Sequence, residues 1–182
     1  MIALAVDPGS NLSGFAIGEI LPYSSTVKLL AHGDIKMQAG SLPVKMLELQ
    51  KDLCDLISGH GVRCLIYETP FFPALKNESA LLGLASAVIA CQWSAHLHGL
   101  NCHSIKVSEW RRVLGIKKEA KPKGWGQTQL IQASPEGQDI KKVTRNYVCR
   151  AYDLPVSAFN SFDHSDALAI LTAFPRLFEV VT

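Results

Sequence analysis

The sequence predicts an α/β fold, a mixed five-stranded sheet flanked by helices, and three observations carry that prediction. Three strand-like segments follow one another at the start of the chain, separated by turn residues. Beyond them the apolar spacing alternates between helical and extended, the pattern that lays helices against a sheet. Two of the extended segments also end alike. Ile2-Ala3-Leu4-Ala5-Val6 runs into Asp7-Pro8, and a second run closing on Leu65-Ile66-Tyr67 meets Glu68-Thr69-Pro70.

The first strand is a short apolar run bounded by Pro8 and Gly9, the signature of a buried strand. Asp7 at its end is either a turn-forming residue bonded to its own backbone or an acid with a partner, since a buried carboxylate is costly alone. Residues 13–20 and 27–35 read as two further strands, making an antiparallel meander. From residue 42 the apolar positions Val44, Leu47, Leu49, Leu53, Leu56 and Ile57 take helical spacing, and Gly59 and Gly61 end that helix. Residues 62–67 form a strand that delivers Glu68. Residues 79–97, rich in Ala, Gly, Ser and Leu, form a long helix whose small residues suit either core packing or contact between two protomers. Residues 101–105 make the fifth strand.

Composition sets the outer bounds. With 182 residues, 48% hydrophobic and 19% charged, the chain reads as one domain over 1–182 with a substantial core. No apolar run is read as membrane-spanning and no signal peptide is apparent, so a cytoplasmic protein without membrane association is expected. Cys54, Cys64, Cys91, Cys102 and Cys149 are dispersed without metal-type spacing, which suggests buried, reduced thiols. The net charge of +2 is too small to define a partner.

Its distribution says more. Arg111, Arg112, Lys117, Lys118, Lys121 and Lys123, then Lys141, Lys142 and Arg145, gather around Trp110 and Trp125. This is either a solvated face or a groove for a phosphate backbone, with aromatics to stack on bases. Residues 115–137 read as a mobile loop. Near the C-terminus, Asp163-His164-Ser165-Asp166 opens an apolar helix that runs to about residue 174. Asp163 and Asp166, three apart, share a helical face; His164 between them reads as a surface or supporting residue rather than a ligand.

Asp7, Glu68, Asp163 and Asp166 are thus four acids at the ends of separate elements. Gathered by a sheet they would repel one another unless they held divalent cations, and all-oxygen ligands favour Mg²⁺ or Mn²⁺. Two such ions about 4 Å apart support phosphodiester hydrolysis. No serine or cysteine nucleophile with a matching base is evident.

Asp7-Pro8-Gly9-Ser10 with Gly14, then Tyr67-Glu68, then Asp163-His164-Ser165-Asp166-Ala167-Leu168-Ala169 resembles the RuvC-type Holliday junction resolvases over nearly the whole chain. Trp110-Arg111-Arg112-Val113-Leu114-Gly115 is similar to their phage-encoded branch. The resemblance implies a ribonuclease H-like fold and a Mg²⁺-dependent homodimer that nicks four-way DNA junctions symmetrically. It implies the metal-ligand role for the four acids, a base-contacting aromatic at Phe71, and a lysine on the scissile phosphate at Lys141 or Lys142. Residues 116–140 depart from the cellular pattern. Three other readings differ in what they require. A nuclease of this fold on RNA, hybrids or other branched DNA needs the same acids. A nucleotide-binding domain of the actin and sugar-kinase type needs a second such domain. A DNA-binding module has no use for four converging acids.

Overall fold

The computed structural model describes residues 1–21, 25–70, 77–116 and 135–178. Strand β1 (Ile2–Asp7) pairs antiparallel with β2 (Leu12–Ile20), and β2 pairs antiparallel with β3 (Val27–Lys36). The chain passes through helix α1 (Leu42–His60) into β4 (Cys64–Thr69), parallel to β1. Helix α2 (Glu78–Leu97) then leads to β5 (Asn101–Lys106), parallel to β4. Helices α3 (Val107–Val113), α4 (Pro135–Tyr152) and α5 (Phe162–Leu177) complete the chain, with a 3-10 turn at Val156–Ala158. The sheet order is β3-β2-β1-β4-β5. This is the mixed five-stranded sheet that the strand and turn signals predict.

Alternation along the strands sorts the core into two layers, because successive side chains point to opposite faces. Leu4, Val6, Ile17, Leu65 and Tyr67 pack against Leu49, Leu53 and Ile57 of α1 and the small residues of α2. Ala3, Ala5, Ala16, Cys64, Ile66 and Ile105 pack against α5, with Trp110 of α3 and Val148 of α4 beside it. Alanines on that face let a helix lie close to the sheet, and α5 is buried without a break from His164 to Phe174. Asp7 continues the series Ala3, Ala5, and Glu68 continues Cys64, Ile66. Both acids therefore emerge on the α5 side.

Several expectations need correction. Gly59 lies inside α1; only Gly61, at φ 64°, terminates it in the left-handed conformation that glycine tolerates. Glu68 stands within β4 rather than after it. Residues 135–137 belong to α4, so the expected loop over 115–137 is too long, while 117–134 lie outside the described residues. On α2, Gly83, Ala87, Ala90, Cys91, Ser94 and Ala95 are buried, which is the core packing that was one of the two uses expected of its small residues. By length and composition α2 could cross a membrane, contrary to expectation, although a third of its most apolar stretch is buried inside the fold. All five cysteines are free thiols; Cys64 and Cys91 are buried but Cys102 is exposed.

Candidate active site

Parallel pairing brings the first two acids together. Val6 sits opposite Tyr67, so Asp7 and Glu68, one residue further along each strand, leave the sheet side by side. On the other flank Asp7 is paired with Gly14 of β2. A Cβ on Gly14 would run into the backbone of Asp163 and His164. Glycine is thus what allows the first turn of α5 to rest on the sheet beside Asp7. Ser161 caps that turn, accepting from the His164 N–H at 3.0 Å, and the acids at 163 and 166 follow on the helix.

The four carboxylates feel one another. Burial raises the Asp7 pKa well above the ordinary range, and the charges of Glu68, Asp166 and Asp163 raise it further. Glu68 is pushed up to about 7, chiefly by burial, and Asp166 to about 6 for the same reason. Asp166 is 4% exposed, and its Oδ1 is buried with no hydrogen-bond partner. An oxygen in that state is costly unless something positive meets it. Among the described residues no three acidic, thiol or imidazole groups close into a ready-made metal cage. The acids converge around a common region, and their all-oxygen chemistry and the orphaned Asp166 oxygen fit a hard divalent cation.

Cations and a tryptophan surround this acidic core. Lys141 Nζ lies 3.6 Å from Asp163 Oδ1, and its charge lowers the pKa of Asp7, Glu68 and Asp166. Arg111 lowers Glu68 and Asp166 in the same way. Arg145, one turn after Lys141 on α4, lies over the Phe162 ring at 4.2 Å. Trp110, read from sequence as a surface aromatic, is fully buried and donates its indole N–H to Glu68 Oε2 at 2.9 Å. His164 is buried and hydrogen-bonded to His32, and burial lowers its pKa to about 4. Its burial removes the surface alternative of the sequence reading.

The structure therefore brings together Asp7, Glu68, Asp163, Asp166, Lys141 and Arg111. It leaves Lys142 and Arg112 exposed. Phe71, Lys117 and Lys118 lie outside the described residues. Sequence reasoning missed the burial of Trp110 against Glu68, the Arg145–Phe162 contact, and the bonds of His32 to His164 and of Asp34 to the Ser161 hydroxyl. For the two β3 residues a signal existed: His32 and Asp34 are two apart on a strand and hence share a face.

A mixed sheet with two adjoining acid-ended strands and an acid-bearing helix across them is the ribonuclease H-like arrangement. A family profile described as Crossover junction endodeoxyribonuclease RuvC matches residues 3–124, and the chain belongs to that family. The RuvC of Alkalilimnicola ehrlichii is 27% identical over 90 residues, covering 48% of this chain and 53% of that protein. That match spans about half the length of the curated relative. Thermus thermophilus RuvC, solved in complex with a Holliday junction substrate, aligns over 97% of this chain and 96% of its own with a TM-score of 0.71 at 14% identity. The yeast mitochondrial Holliday junction resolvase aligns over 96% of this chain and 77% of its own, with TM-score 0.59 and 12% identity. The fowlpox virus Holliday junction resolvase aligns over 98% of this chain and 100% of its own, with TM-score 0.55 and 12% identity. At these identities the likeness is one of fold.

Proposed function

We propose that this chain, as one nuclease domain over 1–182, is a divalent-metal-dependent endodeoxyribonuclease that resolves four-way DNA junctions by paired nicks. The observation that carries the reading is the convergence of Asp7, Glu68, Asp163 and Asp166 where β1, β4 and α5 meet. Family membership supplies the substrate class.

The four acids would hold Mg²⁺, with Mn²⁺ as a substitute; bound ions supply the means to activate water and to stabilise the leaving oxygen. The protein's own groups do the rest. Lys141 and Arg111, already facing the carboxylates, neutralise the phosphate that enters between them. Arg112, Lys117, Lys118 and Lys142 hold the flanking backbone electrostatically. Phe71 stacks on bases at the crossover. Trp110 holds Glu68 in place through its indole N–H. Two such sites, related by a dimer axis through the exposed side of α2, meet the two equivalent strands of a junction. The free thiols fit a reducing cytoplasm.

A cleavage assay tests the reading. Synthetic four-way junction, linear duplex, flap and RNA–DNA hybrid are incubated with and without Mg²⁺. Junction-selective, Mg²⁺-dependent cutting that disappears in Asp7→Asn is expected. Preferential cutting of hybrid or flap would move the assignment to another nuclease of the fold, and cutting by Asp7→Asn would sink the metal site.

A further inference from the structure

We infer that β3 is the positioning element of this site: His32 and Asp34 hold the first turn of α5, and so set Asp163 and Asp166 against Asp7. The inference rests on the metal site proposed above.

It begins with an irregularity in the sheet. Gly18 pairs with Leu29 but Ile17 pairs with Ala31, so Leu30 is an extra residue in β3. An inserted residue reverses which side chains face which layer. Before the bulge, Val27 and Leu29 pack on the α5 side. After it, Ala31 and Ile35 pack on the α1 side. The residues between and beside them, His32 and Asp34, are consequently delivered to α5. A regular strand would have sent both to the opposite face.

Each delivered residue has a partner in the turn it meets. His32 Nδ1 is hydrogen-bonded to His164 Nε2, and Phe159 packs its ring on His164 at 4.9 Å. Ser161 Oγ donates to Asp34 Oδ1 while accepting from the His164 N–H. One β3 residue thus grips the capping side chain of α5 and the other grips the third residue of the helix. Asp163 lies between the two grips, with its backbone seated on Gly14. A rigid body bounded this way fixes where both acids of α5 point, and metal sites lose affinity when such outer contacts are removed.

The pairing also assigns a tautomer. His164 Nδ1 is buried without a partner. With the proton on Nε2, only a lone pair is left unpaired there rather than an N–H, the rarer and costlier orphan. His164 Nε2–H is then the donor and His32 Nδ1 the acceptor. Asparagine places its amide oxygen near the position of His32 Nδ1 and should take over this role; alanine cannot.

Mn²⁺ binding to the metal-free protein, measured by calorimetry without DNA, separates positioning from mere stability. His32→Ala is expected to bind Mn²⁺ about tenfold more weakly, and to need correspondingly more Mn²⁺ for half-maximal junction cleavage, with junction affinity in EDTA unchanged. His32→Asn is expected to stay within about twofold of the parent in both, as the retained acceptor predicts. Should His32→Ala not fold, Ser161→Gly carries the same expectation, because glycine still serves as an N-cap but releases Asp34. Unchanged Mn²⁺ affinity in the alanine and glycine variants, or an equal deficit in alanine and asparagine, overturns the inference. Failure of the parent protein itself to bind Mn²⁺ would overturn the metal-site reading on which it rests.

Discussion

Trp110 on α3 and Glu68 on β4 are joined by an indole N–H that donates to Glu68 Oε2 at 2.9 Å. The tryptophan is fully buried, with the Arg111 guanidinium 4.9 Å from its ring centre. An indole can only donate, so this contact favours the ionised carboxylate, and the hydrogen bond counteracts the burial that raises the Glu68 pKa. The bond also commits one carboxylate oxygen and leaves the other for the site. Trp110→Phe removes the donor while keeping most of the apolar volume. The concentration of Mg²⁺ that gives half-maximal cleavage is expected to rise roughly tenfold. An unchanged metal requirement would mean that Glu68 is held by other means.

A second prediction follows from burying acids. Glu68 goes from an ordinary 4.5 to about 7, and Asp166 from 3.8 to about 6. A raised carboxylate pKa means that the fold holds the proton better than the unfolded chain does. Metal-free stability is therefore greatest below the unfolded pKa and falls as pH rises toward the folded one. His164, lowered to about 4, acts in the opposite sense and loses its contribution as pH falls. The difference between Glu68→Gln and the parent isolates Glu68. In EDTA at pH 8 the variant is expected to melt about 3–8 °C higher, from about 1–3 kcal/mol of relieved desolvation. Mg²⁺ should stabilise the parent and close the gap. A variant that melts lower in EDTA would contradict the placement of Glu68 as a buried, metal-compensated acid.

Lys141 and Lys142 are neighbours in sequence with different surroundings. Lys141 Nζ reaches Asp163 at 3.6 Å and is 5.6 Å from the Phe162 ring centre, whereas Lys142 is exposed on another side of α4. Lys141→Ala is expected to lower the single-turnover cleavage rate about 10²–10³-fold, the loss found when one preorganised donor to developing charge is removed. Lys142→Ala should leave that rate alone and reduce the slope of log affinity against log salt by about one. Equal effects of the two substitutions would remove the distinction.

What was legible in the sequence was local. Each of Asp7 and Glu68 closes an apolar run before a proline, and Asp163 and Asp166 open an apolar helix at i, i+3 spacing; those signals need no knowledge of the fold. Gly14 belonged to the motif, but its reason, the seating of the α5 backbone, is a contact between distant segments. Trp110 was misplaced because two flanking arginines suggest a nucleic-acid face, while its burial depends on packing against α5 and β5 that spacing does not reveal. Helix α4 carries a helical stripe at Ile140, Thr144 and Val148, but the stripe lies in a mostly polar segment that was read for its charges. The spacing of His32 and Asp34 puts them on one face of β3, but the bulge at Leu30 has no glycine or proline to mark it, so which layer that face meets was not legible.

The outer side of α2 gives the last prediction. Of the two uses open to its small residues, core packing is the one seen, with Ala87, Ala90, Cys91 and Ala95 buried among α1 and the sheet. Outward stand Leu82 at 60% exposure, Ile89 at 60%, Trp93 at 54% and Leu97 at 56%. Their steps of seven, four and four residues align them in one stripe along the helix. A helix apolar on both sides is unusual on a free surface, and a contiguous apolar stripe of this kind marks an interaction site. The dimer proposed above would seat a second copy of α2 there, because a substrate with two equivalent strands is met by a two-fold pair of sites. Ile89→Glu puts a charge at the middle of the stripe while leaving the inward face intact. Sedimentation should show the parent as a dimer and the variant as a folded monomer that still binds Mn²⁺. On a four-way junction the variant should release singly nicked intermediates instead of paired products, because its two incisions are no longer coupled. A variant that remains dimeric, or a parent that is monomeric at concentrations where it cuts junctions in pairs, would show that this stripe is not what joins the two active sites.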